Sequence, residues 1–407
     1  MSRTASFKLL PMNILFDQTE AQSTFYNGAA EYAQTVFFQI VSLMKDYPEV
    51  TLYSLYSSTR EFSYNNLAPE ALKDVEHVVS IDYSGKTVRQ IVKEYNIDLL
   101  FVTCGQAFCD LPVGDLSHLG CQVVVVIHDM YLAEMRTSKV EWLHHIQHPR
   151  HYISEAMKRV RSRLIAKAVK SRGSLLQQLI EYNDTTIIAV SEYTRQSVEY
   201  FYPAYADKIR VFYSPMKVCP EQKEEIDNDT LRELIESKKK YFLLLSADRI
   251  TKNGERMLKV FQKFANYIDS SALIVTTGWK KSMYQQHVAL PFLSSSDIEK
   301  AFQHCQALLY PSLFEGFGYP PIEAMRFEKP VLSSNVCSMP EILGDSPIYF
   351  SPIYESSMYG ALRKFHDMDY ATMQNKVRTQ FGIIKEKQQN DLTRLTTMLL
   401  DGSFLKK

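Results

Sequence analysis

Twelve short, almost uninterrupted apolar runs punctuate this sequence, and they constrain its fold more than any other feature. Seven come first, at 13–16, 50–54, 78–81, 99–103, 123–127, 186–190 and 209–212; five follow, at 241–245, 272–276, 307–310, 330–333 and 348–350. A strand with one wet face alternates apolar and polar residues. These runs do not alternate, so each strand is expected to be covered on both faces, as in parallel sheets. Stretches with helical spacing separate them, which gives βαβ units and open sheets.

Between the two series lie Ser214-Pro215 and the polar stretch CPEQKEEIDNDT at 219–230. Proline, charge and low hydrophobicity mark a surface connection. The expected fold class is therefore α/β, with two doubly wound Rossmann-like domains, 1–214 and 215–384, facing each other across a cleft. In such sheets ligands bind beyond the carboxyl ends of the strands. A cleft between two domains is the default place for a site.

Composition removes several function classes. Lys+Arg and Asp+Glu both number 46, a formal net charge of zero, which argues against a general nucleic-acid binder. No apolar run approaches the ~20 residues of a membrane span. The segment MSRTASFKLLPMNILFD has no sustained apolar stretch, so no signal peptide is read and a cytoplasmic place is expected. Cys104, Cys109, Cys121, Cys219, Cys305 and Cys337 form no CxxC pair and are expected to be free, buried thiols. GxGxxG, GxxxxGK[ST] and GxSxG are absent, so dinucleotide oxidoreductase, P-loop kinase and serine hydrolase lose their usual support.

The stretch PSLFEGFGYPPIEAMRFEKPVLSS (311–334) carries the densest chemistry. Tyr310 ends a strand. Glu315 follows in a loop where Gly316-Phe317-Gly318 offers backbone N–H groups and little bulk. Pro320 and Pro321 suit a first helical turn, where a missing N–H costs little. Glu323 is then expected in that first turn. A helix beginning at a strand's carboxyl end favours an anion. Glu315 and Glu323 can reach two parts of one elongated ligand. On these grounds alone a solvated loop carboxylate and a plain helix-capping carboxylate fit equally well.

Glu315-x7-Glu323, set in PSLFEGFGYPPIEA, resembles the E-x7-E motif of family 4 glycosyltransferases, which have the GT-B fold. Pro330-Val331 and SMPEILGD (338–345) continue the resemblance. IIAVSEYTRQSV (187–198), VVVIHDMY (124–131) and KIRVFYSP (208–215) agree with it in order, as do Asn27-Gly28 and Arg249…Lys252-Asn253. The resemblance spans roughly residues 12 to 365 and thins between 55 and 120.

It implies a retaining transferase that moves a hexose-type sugar from a nucleotide-diphosphate donor to a glycan or lipid-linked glycan, in cell-surface polysaccharide synthesis. Glu315 would contact hydroxyls of the donor sugar, and Glu323 those of the ribose. An acceptor-only carboxylate suits a vicinal diol. Gly316, Phe317 and Gly318 would line the donor, the last two with backbone N–H groups. Arg249 and Lys252 would neutralise the departing diphosphate. Their spacing is shorter than the common pattern. His128 would face the sugar, and Gly28 would let the first-domain loop approach it. A C-terminal helix at about 385–407 would pack back on the first domain. No metal or other cofactor is expected, because helix dipoles and basic residues serve in its place. The alternative is a catalytically silent GT-B protein that binds sugar or partner chains; a sugar epimerase of the same fold is a third reading.

Two further stretches stand outside the resemblance. His144, His148 and His151 have i, i+4, i+7 spacing, with His145 beside them, but Pro149 interrupts the helix and no Cys or carboxylate set completes a metal site. Residues 153–172 read as a helix with an apolar stripe and seven cations from Lys158 to Arg172. A core-packed helix with a solvated basic face fits it. So does a helix resting on an anionic membrane surface, a peripheral contact at the inner face.

Overall fold

The structure is a computed structural model. It describes residues 11–22, 28–62, 67–106, 116, 118–131, 133–134, 176–217 and 225–405. Asn27, Cys109, Cys219, the histidine group at 144–151 and the stretch 153–172 lie outside the described residues. Cys104, Cys121, Cys305 and Cys337 form no disulfide among the described residues, and the first three are buried.

The chain divides into two compact units. Among the described residues, the first takes in those up to Met130, those from 176 to 217, and those from Lys387 on; the second takes in Tyr131, residues 133–134 and those from 225 to Glu386.

The first unit is built on a seven-stranded sheet. Its strands are β1 (Met12–Asp17), β2 (Val50–Tyr56), β3 (Val78–Asp82), β4 (Leu99–Val102), β5 (Gln122–Ile127), β6 (Thr185–Ala189) and β7 (Ile209–Val211). They run in the order β3-β2-β1-β4-β5-β6-β7, and every pairing is parallel. All six residues of β5 are buried, and so are all four of β4. Covering both faces is what the lack of alternation predicts. Strand order reverses between β1 and β4, which pair Ile14 with Leu99 and Phe16 with Phe101.

The second unit has a six-stranded sheet, again parallel at every pairing. Its strands are β8 (Tyr241–Leu244), β9 (Leu273–Thr277), β10 (His287–Leu290), β11 (Ala307–Tyr310), β12 (Val331–Ser334) and β13 (Ile348–Phe350), in the order β10-β9-β8-β11-β12-β13. Phe242, Phe261, Phe264 and Phe365 anchor the core on one face of this sheet. Phe242 meets Phe261 and Phe365 edge-on at 5.3 and 5.1 Å between ring centres. Burying each ring contributes about 1.5–3 kcal/mol. Here the order reverses between β8 and β11. Loops leaving the carboxyl ends of strands at such a reversal have open space above the sheet.

All twelve expected strands are present, with ends displaced by a residue or so. A thirteenth, β10, was not expected from the sequence. It is an edge strand of four residues that opens on His287 and stops before Pro291, so it has no run of its own to show. The long terminal helix is Tyr370–Leu400 and begins well before 385. From Lys387 on it packs within the first unit, where the Gln388 amide donates to the Ser214 carbonyl at 2.6 Å and Asp391 accepts from the Tyr213 N–H at 2.9 Å.

Candidate functional site

Two loops in the second unit, one after β8 and one after β11, are joined where the strand order reverses. The Leu313 N–H donates to the Thr251 carbonyl at 2.8 Å, and the Asn253 amide reaches the Pro311 carbonyl at 3.3 Å. The first loop turns sharply because Ser246 and Asn253 both take left-handed backbone angles, φ +51° and +55°. Gly254 then opens the helix Gly254–Tyr267. A Cβ there would stand 2.3 Å from the Ala247 carbonyl oxygen, so only glycine fits. Arg249 and Lys252 flank a one-turn 3-10 helix, Ile250–Lys252. The short spacing keeps both cations on this one loop.

Their environments differ. Arg249 is exposed, and its guanidinium has no ion pair among the described residues. Lys252 is largely covered, with a side chain 14% exposed, like that of Glu315. Its ammonium meets Glu315 Oε1 at 2.5 Å and the Tyr310 hydroxyl at 2.9 Å, 4.7 Å from the Tyr310 ring centre. Ser312 donates to the same Glu315 oxygen at 2.6 Å. The loop backbone is held from behind by Ser338, fully buried, whose hydroxyl serves the carbonyls of Glu315 and Phe317 at 3.1 and 3.2 Å. Glu315 is thus a fixed carboxylate whose charge is balanced by an adjacent ammonium.

Gly318 has φ +93° and precedes the helix Tyr319–Arg326. A Cβ on it would lie 2.2 Å from the Met339 methyl carbon. Its own N–H has no acceptor among the described residues. Phe317 is buried, so this segment offers backbone rather than side chain. Pro320 and Pro321 do occupy the first turn of the helix. The expectation for Glu323 is corrected: with Gly318 as cap and Tyr319 as the first helical residue, Glu323 falls in the second turn. It is half-buried there. Burial pushes the Tyr310 phenol well above its usual pKa, and the Glu315 and Glu323 carboxylates push it further. The two carboxylates therefore lie around one phenol.

In the first unit His128 follows β5 directly. Its Nε2 meets the Thr103 carbonyl, just past β4, at 3.0 Å. A carbonyl only accepts, so Nε2 carries the proton and Nδ1 is left as an acceptor. Burial lowers the His128 pKa from 6.5 to about 4, so the ring is neutral at pH 7. Gly28 is the first residue of the helix Gly28–Leu43. That helix reaches His128 through Tyr32, which packs edge-on at 5.0 Å. The same strand ends hold two groups not singled out in the sequence. Asp17, 1% exposed, accepts from the N–H and hydroxyl of Thr19, while burial raises its pKa from 3.8 to about 6. Gln18 is fully buried, and its side-chain amide has no hydrogen-bond partner among the described residues.

The structure thus gathers Arg249, Lys252, Glu315, the 316–318 backbone and Glu323 in one unit, and Gly28 and His128 in the other. Tyr310, Ser312 and Ser338 joined the first group unannounced. A tyrosine ending an apolar strand and single serines in loops carry no distinguishing pattern. Among the described residues no three His, Cys, Asp or Glu side chains cluster as metal ligands. No described helix is long and apolar enough to cross a membrane.

Comparison with known proteins follows this geometry. Residues 225–350 match the family glycosyl transferases group 1. The chain is 28% identical over 195 residues to the O-antigen chain mannosyltransferase RfbU of Salmonella typhimurium, 45% of this chain and 51% of that one. It is 33% identical over 104 residues to the serotype-specific mannosyltransferase WbdA of Escherichia coli, 25% of this chain and 11% of that one. The chain thus spans about half or less of the curated relatives it matches. Among solved structures, sucrose-phosphate synthase of Thermosynechococcus elongatus superimposes with a TM-score of 0.62 at 10% identity, covering 96% of this chain and 100% of that one. Anabaena Alr3699/HepE in complex with UDP and glucose gives 0.60 at 15% identity, covering 95% and 99%. The chain has the GT-B fold of two Rossmann-like domains, and its second unit carries the glycosyl transferases group 1 segment.

Proposed function

We propose that this chain is a retaining glycosyltransferase. It moves a hexose, mannose by analogy with its relatives, from a nucleoside-diphosphate sugar to a glycan or lipid-linked glycan in cell-surface polysaccharide synthesis. The observation that carries this reading is the group at the carboxyl ends of β8 and β11: a fixed carboxylate, an ammonium, an exposed guanidinium and a second carboxylate around Tyr310. These groups match the parts of such a donor. Glu323 suits the ribose diol, Arg249 and Lys252 the diphosphate, and Glu315 with the Gly318 N–H the sugar.

Chemistry follows from charge. As the bond between the anomeric carbon and the phosphate oxygen breaks, negative charge grows on the diphosphate. Cations held beside the departing oxygen stabilise that charge as it forms. The acceptor oxygen forms the new bond on the same face, and its proton passes to the departing phosphate oxygen. Glu315 serves as a hydrogen-bond acceptor for the sugar hydroxyls, its Oε1 held by Ser312. His128, neutral, can accept a hydrogen bond from a sugar hydroxyl at Nδ1.

Thermal-shift screening against GDP-, UDP-, ADP- and dTDP-sugars tests the reading, since a ligand that binds the folded state raises its apparent stability. At least one nucleotide sugar should do so, and NMR of the product should show the donor's anomeric configuration kept. Binding by none of them, or an inverted product, would overturn it.

A further inference from the structure

We propose that the Tyr310 hydroxyl is a positioning residue for this reaction. It holds the Lys252 ammonium beside Glu315, and it keeps the Glu315 carboxylate in place once a diphosphate draws the ammonium away. The proposal rests on the donor-site reading above.

Lys252 and Glu315 sit on loops, whereas Tyr310 is the last residue of β11 and is 2% exposed. Its hydroxyl is therefore the member of the trio set by the sheet. Lys252 divides its protons between that hydroxyl at 2.9 Å and Glu315 Oε1 at 2.5 Å. The phenol stays protonated, because burial and the two carboxylates hold its pKa well above the usual value. It can accept from Lys252 and still carry a proton, with Glu315 and Ser312 as its hydrogen-bonding neighbours.

The exchange on donor binding then has a definite form. Lys252 and Glu315 satisfy each other. A diphosphate is the stronger partner for the ammonium, so Lys252 turns toward it. Glu315 Oε1 would then keep one neutral donor, Ser312. A half-buried carboxylate that loses a charged partner is costly and mobile. The Tyr310 proton supplies the second donor, and the carboxylate remains aimed at the sugar. Positioning of this kind matters for transfer, because small misplacements of a group near the reacting carbon cost large factors in rate.

Tyr310→Phe tests this, since it keeps the ring and its packing and removes one oxygen. Affinity for free GDP and UDP, measured by calorimetry, should stay within threefold of the wild type. Transfer kcat with the best donor of the screen should fall at least thirtyfold, with donor KM within threefold. A kcat within threefold of the wild type would overturn the proposal. So would kcat, nucleotide affinity and melting temperature all falling together, which marks a packing role. A second readout needs no turnover: acetic-anhydride labelling of Lys252, followed by mass spectrometry. Labelling should be at least fivefold faster in Tyr310→Phe, because the amine has lost one of its two partners, and an unchanged rate would also overturn the proposal. If the wild type transfers from no donor, the donor-site reading fails, while the labelling still decides the tie between Tyr310 and Lys252.

Discussion

At the scale of single residues, the two carboxylates should separate by what they cost. Glu315→Gln removes the charge that balances Lys252 but keeps the shape; transfer should drop at least a hundredfold while circular dichroism and melting temperature stay near the wild type. Glu323→Ala should weaken nucleoside-diphosphate binding by about 1.5–3 kcal/mol, the scale of hydrogen bonds to a charged group, as read by calorimetry. Asp17 makes a different kind of prediction. Its pKa is about 6 in the fold against an ordinary 3.8, so protonated Asp17 stabilises the fold below pH 3.8 and that contribution is lost as pH rises to 6. Asp17→Asn should therefore gain about 2 kcal/mol at pH 7 relative to pH 4, at roughly 1.4 kcal/mol per pKa unit; denaturant titrations at the two pH values measure it. His128 and His287 act in the opposite sense. Each has its pKa lowered from 6.5 to about 4 by burial, so the fold loses stability as pH falls through that window. Glu315, Glu323, Lys252 and His128 were legible in the sequence because motif and strand end coincide there. Tyr310, Asp17 and Gln18 were not, because burial and missing partners are properties of packing and leave no mark on residue order.

Among elements, two glycines hold the donor-side loops, for different reasons. Gly254→Ala would drive a methyl against the Ala247 carbonyl, which is backbone and cannot yield. The expected result is a loop displaced with Arg249 and Lys252 on it, and nucleotide affinity reduced tenfold or more. Gly318→Ala combines a φ of +93° with a clash against the Met339 methyl carbon, the flexible end of a side chain. It should cost about 2 kcal/mol or more, and Met339→Ala should recover part of that loss. A double-mutant cycle by denaturant melts should give a coupling of about 0.5–3 kcal/mol between the two positions; simple additivity would show that the clash is not what matters. The strands were readable as elements because a strand buried on both faces writes a run of apolar residues. β10 was not, because an edge strand of four residues beginning with a histidine writes no such run. Glu323 was misplaced by one turn for a related reason: prolines mark the start of a helix only to within a residue or two.

At the scale of the whole molecule, transfer should proceed unchanged in EDTA, because Arg249 and Lys252 supply the positive charge that a divalent ion would otherwise bring; activity lost in EDTA and restored by Mn²⁺ would contradict this. Two domains were visible from the two series of runs. That the last segment belongs with the first unit was not visible in composition or periodicity, since it depends on contacts made across the whole chain, such as Gln388 with Ser214 and Asp391 with Tyr213. Those contacts have a consequence in time. A ribosome adds roughly 5–20 residues per second, and domains made first generally fold first. Here the first unit still lacks its last segment when residue 217 emerges. It must wait for about 170 further residues, roughly 10–35 s at that pace, until Leu392, Leu395 and Leu399 arrive to be buried. The second unit, whose described residues end at Glu386, can finish sooner. The half of the protein that is synthesised first is therefore completed last, and in that interval its uncovered apolar seam is the surface a chaperone would guard.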